Sequence, residues 1–388
     1  MSMPASILRT YTLATAVLLG AGVSEAPGQV IPGTPYSGSV ESYYQSWDID
    51  EGATSTTVTQ VFAPISVFLP IADRLEARVS SAYVSMSRDT DFSDSESVSG
   101  LADLKLQVNG SFLQRRLILG LVANLPSGQG ELTGLEQDIV YDFVSPDLSV
   151  RTNRLGEGFN IGGTVSFANA LSESVTLGIG ASVLSRGSYD TSLPGTSRPI
   201  SLSPGLESRA GATLDILSGV SAFRLSSTLA MYGTEQVNDV DNYQIGQEIT
   251  FAADYTVAYQ AGRGRLSVGV LEMLRFDNSI RSNGSFDTEE VSSNGNYLVL
   301  HASNDYGVSP KLVLTVSALG RLVGANEFDA GDATVIESGL AATLTPTSNV
   351  AITLGGRLVK GSGTGFSGRD REIRGMEGIL RTVVRLDR

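Results

Sequence analysis

Residues 247–260 read QEITFAADYTVAYQ, and their character alternates along the whole stretch. Ile249, Phe251, Ala253, Tyr255, Val257 and Tyr259 take one parity, while Glu248, Thr250, Asp254, Thr256 and Gln260 take the other. Successive strand residues point to opposite faces, so the stretch is one strand with an apolar and a polar side. Strands of globular proteins run to about five or six residues. A strand this long, two-faced throughout, asks for an apolar medium on one side and water on the other.

The pattern recurs. SVTLGIGASVL sets Val175, Leu177, Ile179, Ala181 and Val183 against Thr176, Gly178, Gly180 and Ser182. LADLKLQVNGSF sets Leu104, Leu106, Val108 and Phe112 against Asp103, Lys105, Gln107 and Asn109, and GILRTVVRLDR sets Leu380, Val384 and Leu386 against Arg381, Arg385 and Asp387. Tight turns at 71–73, 114–115, 172–173, 218–219, 262–264, 309–310 and 347–348 alternate with longer, more acidic connections at 88–97, 126–157, 187–204, 278–293 and 361–374. Short turns at one end and long loops at the other mark an outer-membrane barrel. The expected fold is therefore all-β: a transmembrane antiparallel up-and-down barrel of about 14–16 strands, with a short helix in one long outer loop. A soluble sandwich, propeller or solenoid would show shorter strands or a fixed-period repeat, and no repeat is visible.

The remaining composition agrees. Arg9, the apolar run YTLATAVLLGAGV and the small residues of EAPGQ predict a signal peptide over residues 1–28, leaving a single barrel domain over 29–388. That run is shorter than the roughly twenty residues of a membrane helix, and no later segment approaches it, so a membrane would be crossed by strands. Cysteine is absent, which excludes disulfides, thiolate metal sites and cysteine nucleophiles. A net charge of -14 argues against nucleic acid. Lysine occurs only at Lys105, Lys311 and Lys360, so the cations are almost all arginine. Trp47 is the single tryptophan, which leaves interfacial aromatic girdles thin.

No GxxxxGKS/T, GxSxG or HExxH pattern occurs, so no cofactor is expected. The glycine-rich GSGTGFSG at 361–368 precedes no helix, and the acidic DTDFSDSE at 89–96 lacks the central glycine of an EF-hand loop. Both read as solvated loops, with no metal site. Strand parity places Arg74, Arg78, Asp103, Lys105, Arg209, Glu248, Asp254, His301, Glu337, Arg357, Arg381 and Arg385 on the wet side as pore-lining candidates. Charges of both signs can line an aqueous path or close it by pairing.

Within the connection 126–157, ELTGLEQDIVYDFVSPDLSV changes period. Leu132, Leu135, Ile139 and Phe143 follow helical spacing, Thr133 and Glu136 form a capping-box pair, and Ser145 stops the run before Pro146. These four apolar residues belong either to a gating loop folded over the mouth or to a helix packed on the rim.

Two resemblances follow from short motifs. In LVLHASNDYG, His301, Ser303 and Asn304 resemble the His-x-Ser-Asn core of outer-membrane phospholipase A and of the lipid A deacylase barrels. That resemblance implies a lipid hydrolase with Ser303 as nucleophile and His301 as base, although Asp305 stands where the phospholipase has glycine and parity turns both residues away from lipid. SGLADLKLQVNGSF followed by LILGLVANLPSG resembles the phenol/hydrocarbon-uptake (meta-pathway) and long-chain fatty-acid transporter barrels. Gly100, Leu101 and Asp103 match a Gly-Leu-Gly-Asp segment, and Pro126 and Gly128 match a Pro-Thr-Gly, with Ala102 and Ser127 departing. The resemblance implies passive, gated uptake of small molecules, hydrophobic or aromatic ones among them, across a bacterial outer membrane. Its partners would be outer-membrane lipid, a small-molecule solute and the barrel assembly machinery. Outer-membrane barrels usually end on an aromatic that this machinery reads; here the chain ends RLDR, with Leu386 the nearest apolar residue. A plugged structural or anchor barrel is the alternative without transport.

Overall fold

The computed structural model describes residues 36–386 apart from 53, 92, 130–131, 133–135, 137–138, 141–142, 144–147, 149, 153, 193–198, 283–284, 328–330 and 366–367. The expected signal peptide and Leu135 lie outside the described residues. The chain begins with β1 (Tyr36–Glu51), β2 (Thr54–Ala72), β3 (Leu75–Thr90), β4 (Ser93–Leu101), β5 (Leu104–Phe112), β6 (Leu117–Leu125), β7 (Asn160–Ala170) and β8 (Val175–Arg186). A short hairpin, β9 (Tyr189–Ser192) and β10 (Pro199–Ser203), precedes β11 (Glu207–Ser218) and β12 (Ser221–Tyr232). A second, β13 (Thr234–Val237) and β14 (Val240–Gln244), precedes β15 (Glu248–Tyr259) and β16 (Gly264–Arg275). After a third, β17 (Ser279–Ser282) and β18 (Ser285–Thr288), come β19 (Tyr297–Ser309), β20 (Leu312–Val323), β21 (Ala333–Thr347), β22 (Val350–Thr364) and β23 (Asp370–Leu386).

Successive wall strands pair antiparallel, and β1 pairs with β23 from Tyr36↔Leu386 to Asp50↔Glu372, which closes the sheet on itself. β4 and β5 follow one another along β3 with Ala102 and Asp103 between them, so they are two halves of one wall strand and the barrel has sixteen strands. Closure removes every free edge, the condition for a sheet to stand in hydrocarbon, where unpaired backbone groups cost several kcal/mol each.

The alternation read in the sequence sorts the two faces. Leu340, Leu354 and Leu358 are 61 %, 65 % and 67 % exposed on the outside, while Glu337 and Val359 of the same strands are buried inside. In β15, Phe251 and Tyr255 are exposed outward, and Glu248 and Asp254 turn inward to meet Arg275 and His301. An even-stranded, closed, up-and-down barrel with an apolar outer belt is a bacterial outer-membrane protein.

The tight turns lie where the sequence places them, two of them through residues with positive φ at Leu113, Gln114 and Arg115 and at Gln260 and Ala261. The outer end differs from expectation. Residues 88–97 are mostly strand, because β3 and β4 continue their pairing to Thr90↔Ser93 above the apolar belt. The three short hairpins also join side by side, in the order β18-β17-β14-β13-β10-β9, into a six-stranded outer sheet. Their strands are only four or five residues long, so the alternation they carry, as at Ile200 and Leu202, is too brief to betray them.

Within that outer region Glu289 accepts backbone N–H bonds from Asn278 (2.9 Å) and Ser293 (3.2 Å) and the Ser293 hydroxyl (2.8 Å). Desolvation pushes this carboxyl up, but the hydrogen bonds outweigh it and hold it below the ordinary value. A lowered folded value means the stabilisation is complete above the ordinary carboxylate range and is lost as pH falls through the lower value. Amide protection at 289–293 is expected to hold from pH 7 to about pH 5 and to fall only below about pH 4; Glu289→Gln is expected to lower protection at neutral pH and abolish that step. On the wall, Leu340→Arg, midway along β21, is expected to cost about 2–4 kcal/mol in urea titrations of folding into vesicles, and inward Ala341→Ser far less.

Candidate functional site

The barrel's interior is not uniform. In the outer half of β1 to β4 and β21 to β23 the inward positions include Trp47, Ile49, Val58, Val84, Met86, Val335, Val359 and Ile373, all buried. Water in contact with so much apolar surface would be costly, and the connection between β6 and β7 turns inward to cover it. Ile139, Val140, Phe143, Leu148 and Leu155 of that connection join the same cluster, with Leu132 partly buried against it. Trp47 and Phe143 meet edge to face, with ring centroids 6.4 Å apart. Glu136, Ile139 and Val140 are helical, and Phe143 N–H closes the turn on the Val140 carbonyl at 3.1 Å. The loop therefore lies neither over the mouth nor on the rim but inside the barrel. Each large side chain so buried contributes at most about 1.5–3 kcal/mol.

The base of the loop is held by one carboxylate. Asp103, 4 % exposed, accepts the N–H of Gly128 on Oδ1 (2.9 Å) and the N–H of Glu157 on Oδ2 (2.7 Å), joining the two ends of the inserted segment. Ser127 Oγ accepts the Leu104 N–H at 2.8 Å. A Cβ on Gly128 would stand 2.3 Å from the Leu155 carbonyl and 2.9 Å from that of Leu101, so only glycine fits. Asp103 and Gly128, two of the residues that carry the transporter resemblance, thus fasten the base of the internal loop. Asp103 is engaged by that loop and is not free to line a pore.

Across the lumen the loop is latched by Arg151. Its guanidinium bonds both oxygens of Glu377 (2.8 and 2.9 Å) and lies 4.2 Å from the Tyr43 ring centroid. Gln60 accepts the Arg151 N–H at 2.9 Å and donates to the Thr152 carbonyl at 2.6 Å. From Glu377 the chain of charges continues through Arg357 (2.8 Å) to Glu337 (2.9 Å) and Arg321 (2.9 Å), with side chains 2–12 % exposed. Deleting one member of such a buried set costs about 3–5 kcal/mol, because the partner's charge is left without compensation. Glu337 and Arg357, expected to line a pore, are instead part of this dry contact. Arg381 pairs with Glu41 at 3.0 Å further toward the turn end.

The opposite wall is wetter. Arg186 and Arg209 share Glu207; Tyr232 donates to Glu248 (2.8 Å), which also faces Arg275 at 3.4 Å. Nearer the turns, Arg224 pairs with Asp215 at 2.6 Å and His301 Nε2 with Asp254 at 3.1 Å; Arg224 is 51 % and Asp254 40 % exposed. Gly269 stands between Asp254 and His301 in register, and a Cβ there would come within 2.4 Å of both side chains. Arg78 is half-buried on the inward parity, Lys105 is exposed on it, and Arg385 is exposed near the end of β23. Arg74 is a correction: it sits in the turn between β2 and β3, outside the lumen.

His301 spends Nε2 on Asp254, and its Nδ1 is buried without a hydrogen-bond partner among the described residues. Ser303 faces Ser267 across the strand pair, and no hydrogen bond joins it to His301 among the described residues. The contact that activates a serine nucleophile is not formed. Sequence reasoning missed Arg151, Glu377, Gln60 and Tyr43, which hold the loop to the wall. Their signal was present in β1, where Tyr43, Trp47 and Ile49 share the parity of Gln45 rather than the outer parity.

No protein-family model and no curated protein matches the chain. Solved structures similar to it include a Pseudomonas aeruginosa FadL homologue (10 % identity, TM-score 0.46, 93 % of this chain and 96 % of that one). The outer membrane channel DcaP of Acinetobacter baumannii is similar at 12 % identity and TM-score 0.45, over 90 % of this chain and 97 % of that one. The CymD monoaromatic hydrocarbon channel is similar at 10 % identity and TM-score 0.45, over 92 % and 89 %. At such identity none of their residues is carried over.

Trp47, 1 % exposed and the sole tryptophan, is a built-in reporter of the loop. Its emission is expected to be blue-shifted in the folded protein and to move to the red in Phe143→Ala and in Asp103→Ala, while the barrel's heat-modifiable migration on gels persists.

Proposed function

We propose that the barrel is a passive channel for small molecules across the bacterial outer membrane, with the loop at 126–159 as its internal constriction. The observation that carries this is the division of the lumen. The charges that hold the loop are 2–12 % exposed, whereas on the opposite wall Arg224, Asp254 and Asp215 are 34–51 % exposed, as residues lining a water-filled path would be. In this reading Arg209, Glu248, Asp254 and His301 border the path, and Ile139, Phe143 and Arg151 set its width. The apolar belt meets outer-membrane lipid, and insertion is the work of the barrel assembly machinery. The role is transport, and no catalytic residue is assigned.

Single-channel recording in planar bilayers tests the reading. The refolded chain is expected to give discrete current steps, with larger or noisier steps from Arg151→Ala and from a variant lacking residues 132–145. Inserted protein that passes neither ions nor solutes in any of the three forms would establish a plugged barrel instead. Lipid cleavage abolished by Ser303→Ala would establish the hydrolase.

A further inference from the structure

The two halves of the lumen differ in chemistry as well as in exposure. Inward positions of β7, β8, β11, β12 and β15 are glycine, alanine or hydrophilic, and the large exceptions are Leu184 and Tyr232 at the loop end and Leu217 at the turn end. On the other half the inward apolar residues around Trp47 are covered by the loop, while Leu271 and Met273 of β16 and Leu319 of β20 face inward beside this wall, outside that cluster. A hydrocarbon following the wall from β7 to β15 therefore meets little apolar lining to compensate its ordering, since the gain of about 25 cal/mol per Å² comes only from apolar area removed from water.

A hydrated solute meets the reverse. Glu207 lies between two arginines, Asp215 is paired with Arg224, and Arg224 stands opposite Asp254 in register, so donors and acceptors alternate across neighbouring strands. Charges already paired attract a bare ion weakly, yet they offer hydrogen bonds of both kinds to a solute that must shed part of its water. Conduction needs this combination, because a site must be favourable enough to enter and weak enough to leave.

We propose that the open half of the lumen is the solute path and that it takes small, strongly hydrated molecules carrying both donor and acceptor groups, short polyols and zwitterions, in preference to hydrocarbons. This rests on the channel reading above and specifies its substrate class.

Isotonic swelling of proteoliposomes containing the full chain tests it, with arabinose and glycine as polar probes, alongside single-channel block by phenol. Swelling in both polar probes is expected, with little block. Ser226→Leu, which places an apolar side chain in the row Thr213, Ser226, Ala252, is expected to slow swelling several-fold; outward Leu225→Ile leaves it unchanged. Current without polar swelling, block by phenol at concentrations where arabinose has no effect, or unaltered swelling in a correctly inserted Ser226→Leu protein would each overturn the substrate class alone. Inserted protein with neither current nor swelling would overturn the channel reading and the substrate class together.

Discussion

Everything in this protein depends on one constraint, that no backbone N–H or carbonyl may be left unpaired where lipid replaces water. The pairing of β1 with β23 over almost the full length of both strands satisfies it by joining the first strand to the last. Once the sheet is closed, each residue has only two destinations, and the period of two along each strand decides which. The outer destination is simple, since any apolar side chain serves. The inner one must be specified residue by residue, because the space is enclosed and whatever points into it has to be hydrated, paired or covered.

The interior uses all three solutions in different places. Hydration suffices on the wall from β7 to β15, where the side chains are short or charged and partly exposed. Pairing serves the strip from Arg321 to Arg151, where three guanidiniums and two carboxylates are almost without solvent. Covering serves the apolar patch around Trp47, which draws the loop inward. The last two support each other: burial of Phe143 and Ile139 excludes water from the ion pairs, and the pairs fix where the loop crosses. A buried ionic network is a poor source of net stability, because desolvation consumes most of the attraction, but it is costly to misplace. Its effect here is to give the loop one position.

The wall was legible in the sequence because hydrocarbon on one side and water on the other imposes strict alternation, as in residues 247–260, and the short turns punctuate it. The helical spacing of Ile139 and Phe143 was legible for the same kind of reason, one face being buried. Their destination was not. A loop seeking cover on the rim and a loop filling the lumen have the same sequence pattern, and only the inward Trp47, Val58 and Ile373 from distant strands distinguish them. The outer six-stranded sheet escaped because strands of four or five residues are too short for an apolar period to show. Parity also assigned Glu337 and Asp254 alike to a pore; which of them is dry depends on the loop, which parity along one strand does not encode.

The net charge of -14 bears on the path less than its size suggests, because it is unevenly placed. Inward-facing carboxylates such as Glu207, Asp215 and Glu337 are paired with arginine. The short-turn end carries Arg74, Arg115, Arg116, Arg263 and Lys311, while Asp89, Asp91, Asp190, Asp239, Asp241, Asp287 and Glu290 stand at the loop end. A field of this sense lowers the concentration of anions at the outer mouth and raises that of cations, over a range set by a screening length of about 8 Å at physiological salt. Net ions are sorted there before they reach Arg224 and Asp254. A polyol or zwitterion has no net charge for that field to act on and arrives undepleted at a wall of paired charges. The acidic mouth thus sets anions against cations without touching the neutral solute, and the choice in favour of a polyol or zwitterion falls to the balanced lumen, which hydrogen-bonds to it.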